Sequence, residues 1–77
     1  MDIEVLGPGC AKCKATADLI TRVATETGKT VNIVKIEDMR QIVSYGVMTT
    51  PAVVVGGQVV HKGTVPSRDQ VVAWLGA

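Results

Sequence analysis

The sequence carries no excess of either charge: 8 Lys and Arg stand against 7 Asp and Glu, for a formal charge of +1. That balance removes the basic footprint expected of a nucleic-acid-binding surface. Long hydrophobic runs are also missing. Stretches such as Ala52–Val55 fall far short of the roughly 20 helical residues that cross a bilayer, so no membrane partner is expected. The chain does not open on a basic segment followed by an apolar stretch, so no secretory leader is expected either. Aromatic residues are nearly absent, with no Phe, one Trp and one Tyr. The 77 residues leave room for one domain, spanning 1–77, with a thin core. A chain of that size hides only about 60% of the surface its unfolded form exposes. These absences predict a small, cytoplasmic, monomeric domain.

Cysteine is scarce too, but the two that occur are placed tellingly. Cys10 and Cys13 form a C-x-x-C pair near the N-terminus. A bridge closing so short a loop constrains little unfolded chain, so the pair is no disulfide scaffold. In a cytosolic chain such spacing points to redox exchange or to metal binding.

The remaining punctuation divides the chain cleanly. Ile3 to Leu6 reads as a short strand halted by Gly7-Pro8-Gly9. From Cys10 to Thr27 there is no Gly or Pro, and Ala15, Leu19, Ile20 and Val23 recur at helical spacing before Gly28. Val31 to Ile36 is β-branched and predicts a second strand. Asp38 with Gln41 resembles a capping arrangement for a short helix ending near Ser44 or Tyr45. Ala52 to Val55 and Gln58 to Lys62 flank Gly56-Gly57, a hairpin signal. Ser67 and Gln70 form a capping box for a last helix carrying Val71, Val72 and Leu75. The order is β-α-β-α-β-β-α, an α/β chain. The first two strands should be parallel through a right-handed crossover and the last two antiparallel. Helices on both faces of the mixed four-stranded sheet would explain strands nearly continuous in Val and Ile.

The chemistry should sit where the first strand hands over to the first helix. Cys10 falls at the predicted helix N-terminus, where unpaired N–H groups and the helix dipole favour an anion. The thiolate is the form that attacks a disulfide, and Lys12 and Lys14 add positive charge in the same turn. Cys13 lies one turn further in and should be more covered. Cys10 would then attack a substrate disulfide, and Cys13 would resolve the mixed disulfide. A four-ligand zinc site would need more Cys or His than the remaining His61 supplies.

Cys10-Ala11-Lys12-Cys13 after a strand, Thr49-Thr50-Pro51 before a strand, and Val55-Gly56-Gly57-Gln58-Val59-Val60 ahead of a closing helix resemble the thioredoxin-like superfamily. The likeness covers nearly the whole chain and is nearest to the small redox-active disulfide proteins of archaea and bacteria. It implies a minimal thioredoxin fold. It also implies a cis Pro51 that sets the Thr50 backbone beside the sulfurs, where an extended substrate strand could pair with it. Glu4 stands six residues before Cys10, where thioredoxins hold a buried acid near the second cysteine. Its two readings are a proton acceptor for Cys13 and a carboxylate at a strand end reaching solvent or a lysine. The Gly7–Gly9 loop and the turn at Gly63 and Thr64 complete the expected catalytic surface. The chain departs from thioredoxins in carrying Gly9 before Cys10 and Ala-Lys between the cysteines, and from glutaredoxins in lacking a Tyr in that dipeptide.

The sequence thus predicts a protein thiol–disulfide oxidoreductase with Cys10 and Cys13 as catalytic residues. Lys12 and Glu4 act in support, and Thr50, Pro51 and Gly63 contact substrate. No cofactor is expected, since the pair itself stores electrons. Protein disulfides are the expected substrates and a thioredoxin-reductase-like donor the expected source of reducing equivalents. The rival is a copper(I)-type carrier using the same two cysteines, although such carriers run β-α-β-β-α-β and end on a strand. A third reading is a redox-sensing interaction module without turnover.

Overall fold

The computed structural model describes residues 1–9 and 11–76. Cys10, the expected nucleophile, and Ala77 lie outside the described residues. The elements follow in the order β1 (Asp2–Leu6), α1 (Ala11–Thr27), β2 (Asn32–Ile36), α2 (Met39–Ser44), β3 (Ala52–Val55), β4 (Gln58–Lys62) and α3 (Arg68–Leu75). The four strands form one sheet in the order β2-β1-β3-β4. The β1–β2 pair is parallel, and the β1–β3 and β3–β4 pairs are antiparallel. This is the minimal thioredoxin architecture.

Strand alternation sorts the core into two layers. Ile3 and Val5 of β1 and Val53 of β3 pack against Ala17, Ile20, Val23 and Ala24 of α1 and Val71 and Leu75 of α3. The opposite face is smaller: Leu6, Ala52 and Val54 meet Ile42 of α2 and Val47. Full cover on both faces is confined to the central strands. Val34 on β2 and Val59 and Val60 on β4 stay exposed, because a helix of six residues is only about 9 Å long and cannot span four strands. Lys35 and Lys62 on these outer strands discourage edge-to-edge pairing.

The helices start and stop on local chemistry. Ser67 and Gln70 exchange both bonds of a capping box at α3. Asp38 caps α2 by accepting from the Arg40 N–H at 2.8 Å, one residue short of the Gln41 contact that the sequence pattern suggested. Within α1 the hydroxyls of Thr16, Thr21, Thr25 and Thr27 each donate to the carbonyl four residues back, at 2.8–3.0 Å. This back-bonding lets Thr16 sit fully buried with its polar atom satisfied.

Candidate active site

The site is built at the carboxyl end of β1. Gly7 leaves the strand with its N–H donating to the Ile36 carbonyl at 2.9 Å, which ties the β1–α1 loop to the end of β2. Two residues into α1, Cys13 turns inward and is only 5% exposed. Gly7 is there because nothing larger fits. A Cβ at that position would lie 2.0 Å from Cys13 Sγ and 3.7 Å from Thr50 Cβ. The cysteine, the loop and the segment before β3 therefore meet at one glycine.

On the β3 side the Thr50–Pro51 peptide bond is cis. Pro51 is buried and Thr50 half-buried. The Pro51 carbonyl accepts from the Gly63 N–H at 2.9 Å, and a Cβ on Gly63 would come within 3.3 Å of Thr49 Oγ1 at a left-handed φ of 90°. Cys13 and Thr50 are thus brought together around Gly7, and Gly63 is tied to the same segment through Pro51. Met48, just ahead of this segment, is 90% exposed. Lys12 is exposed in the first turn of α1, where its carbonyl receives the Thr16 hydroxyl.

A pocket of about 170 Å³ opens beside Cys13, lined by Val5, Gly7, Gly9, Lys14, Lys35 and Glu37. The β1–β2 register explains this lining. Val5 pairs with Lys35 and Leu6 with Ile36, so Val5, Gly7, Lys35 and Glu37 all fall on the α1 face. Glu4, paired with Val34, falls on the other face. There it accepts a short hydrogen bond from the Tyr45 hydroxyl, and it does not join the lining of the Cys13 pocket among the described residues. The even position of Glu4 along the strand sends it away from α1, which spacing from Cys10 alone does not reveal. Sequence reasoning passed over Glu37. The available signal was the parallel pairing itself, which brings the residues just beyond both carboxyl ends to one place.

The Glu4 bond holds the Tyr45 phenol above its ordinary pKa of 10.0, with burial and the carboxylate's negative charge pushing the same way. Because the folded value is the higher one, the bond stabilises the protein fully below about pH 10 and is lost as pH rises through the raised value. Wild type should therefore lose more stability on alkalinisation than Tyr45→Phe, as measured by denaturant midpoints at stepped pH. Parallel declines in the two proteins would mean that the bond contributes nothing.

Elsewhere, His61 Nε2 lies 2.9 Å from Thr64 Oγ1, and its ring tilts against Trp74 with centroids 5.8 Å apart. No group of three or more His, Cys, Asp or Glu side chains able to hold a metal occurs among the described residues. No helix among them is long and apolar enough to cross a membrane.

A family profile described as a thioredoxin domain matches residues 1–76. The chain belongs to the thioredoxin family. A thioredoxin from Methanocaldococcus jannaschii is 32% identical over 69 residues, which cover 90% of this chain and 79% of that protein. A thioredoxin from Methanothermobacter thermautotrophicus is 30% identical over 71 residues, covering 92% of each. A probable thioredoxin from the same organism is 29% identical over 75 residues. Membership of the family makes thiol–disulfide exchange the general chemistry to test at the C-x-x-C pair.

Proposed function

We propose that this thioredoxin-family chain is a protein thiol–disulfide oxidoreductase in which Cys10 attacks and Cys13 resolves. The observation that carries the reading is the close approach of Gly7 to both Cys13 and Thr50, with Thr50 preceding the Pro51 whose carbonyl accepts from Gly63. A thiol that is 5% exposed is poorly placed to meet a large substrate directly, which suits a resolving role and not the first attack. Cys10, three residues earlier and next to the α1 N-terminus at Ala11, takes the outer role. Its thiolate is favoured there by the helix dipole and by exposed Lys12 and Lys14.

In the forward cycle Cys10 Sγ forms a bond to one substrate sulfur and breaks the substrate disulfide. The Cys13 thiolate then forms the Cys10–Cys13 bond and expels the second product thiolate, which takes a proton from solvent. Two electrons pass from the dithiol to the substrate. The half-buried Thr50 backbone pairs with an extended substrate segment. A reductase restores the dithiol, in a compartment that keeps thiols reduced. The reading is tested by reduction of a disulfide-bonded protein such as insulin with excess dithiothreitol. Acceleration proportional to the amount of this protein supports it. A rate equal to dithiothreitol alone, or a stoichiometric soft metal bound to the purified protein, overturns it in favour of a carrier.

A further inference from the structure

Resolution needs a thiolate at Cys13, so the proton on that thiol must go somewhere before the second step. The thiol is nearly sealed from bulk solvent, with Gly7 close against its sulfur, and Cys13 lines the pocket described above. Among the described residues, three charged side chains line that pocket: Lys14 from α1, and Lys35 and Glu37 at the end of β2. The two ammonium groups bring no acceptor lone pair, so Glu37 is the one proton acceptor among the described lining. Glu37 Oε2 also reaches to 3.7 Å from where a Cβ on Gly9 would stand, so the carboxylate lies against the β1–α1 loop. A volume of about 170 Å³ has room for several waters, enough for a short relay between Sγ and the carboxylate. Glu4, the acid that the family likeness suggests for this task, is bonded to Tyr45 on the opposite face of the sheet.

From this geometry we infer that Glu37 is the proton acceptor for the resolving thiol. The inference rests on the oxidoreductase reading above. During resolution the Cys13 S–H proton passes to the Glu37 carboxylate, the Cys13 sulfur bonds to Cys10, and the bond from Cys10 to the substrate sulfur breaks. The departing thiolate carries the electron pair, and the Glu37 proton returns to solvent. Lys14 and Lys35 stabilise the transient anion beside them.

The sign of the effect separates this role from simple electrostatics. A carboxylate that merely sat near the sulfur would disfavour a thiolate, so its removal would speed resolution. Removal of a general base slows it, by about 10²-fold at the low end of such effects.

The test uses reduced protein and Ellman's reagent, followed by stopped flow across pH. The first thionitrobenzoate released reports attack by Cys10, and the second reports resolution by Cys13. Glu37→Gln should slow the second release by about 10²-fold near pH 7. The first should stay within about twofold, and the deficit should close at alkaline pH where the thiol ionises unaided. Glu37→Asp should recover part of the rate. A Glu37→Gln profile that superimposes on wild type, or a faster second release, overturns the inference. So does a slowed release in Glu4→Gln with none in Glu37→Gln, which would return the role to the other face. Failure of the oxidoreductase reading looks different, because wild type itself would then leave the rate of insulin reduction by dithiothreitol unchanged, whatever Glu37→Gln does to the second release.

Discussion

Gly7→Ala should cost more than any other single-methyl addition in the chain. The new Cβ would sit 2.0 Å from Cys13 Sγ and 3.1 Å from Cys13 Cβ, where unstrained contacts need about 3.5–4.0 Å. The obstacle is not the loose end of a flexible chain. Cys13 is buried in the first turn of α1, and Gly7 is pinned by its bond to Ile36. Either α1 lifts from β1 or the loop breaks that bond. Overpacking of this kind costs about 1–3 kcal/mol and sometimes more. For a chain of this length the whole stability is about 4–12 kcal/mol, so the loss is a large share. Urea unfolding should show the midpoint falling sharply with little change in slope. Any folded fraction should also resolve mixed disulfides slowly, since Cys13 can no longer hold its place. Wild-type stability in Gly7→Ala would mean that the close approach of loop and sulfur is wrong.

Cys13→Ser should have the largest effect on turnover. Serine is nearly the same size as cysteine, so the buried position can accept it with α1 in place. Its hydroxyl ionises far less readily than a thiol and will not attack a disulfide sulfur. Cys10 would still take up substrate, and the cycle would stop at the mixed disulfide. Turnover should fall by on the order of 10²-fold or more, as when an essential nucleophile is removed. A covalent adduct should appear in intact-mass spectra and vanish with dithiothreitol. Sustained turnover without an adduct would mean that resolution comes from a second thiol outside this chain, and that Cys13 is structural.

Much of this was legible in the sequence because each element carried its own local signal. The Gly56-Gly57 hairpin, the Ser67–Gln70 capping box and the Gly-free span of α1 are decided by neighbours a few residues apart. The order β2-β1-β3-β4 then follows from one crossover and one hairpin. Sidedness was not local. Whether Glu4 or Val5 faces α1 depends on the register of β1 in the sheet, and a shift of one residue exchanges the two faces. Spacing from Cys10 therefore suggested Glu4, whereas pairing with β2 brings Glu37 to the pocket. The exposed Val residues of β2 and β4 were likewise beyond reach of periodicity, since the shortness of α2 decides them. Gly7 looked like one more turn glycine. Only the three-dimensional closeness of Cys13 Sγ reveals why a side chain is excluded there.

The central claim is that Cys10 and Cys13 form one reversible two-electron couple. Equilibrating the purified protein with thiol–disulfide buffers of graded potential, quenching with an alkylating agent and weighing the intact chain tests it directly. The account predicts a single transition between a doubly alkylated and an unalkylated species, with a midpoint within the roughly −270 to −120 mV range of known dithiol proteins. A pair that stays doubly alkylated at every potential, or that alkylates only after a chelator removes a bound metal, would contradict it.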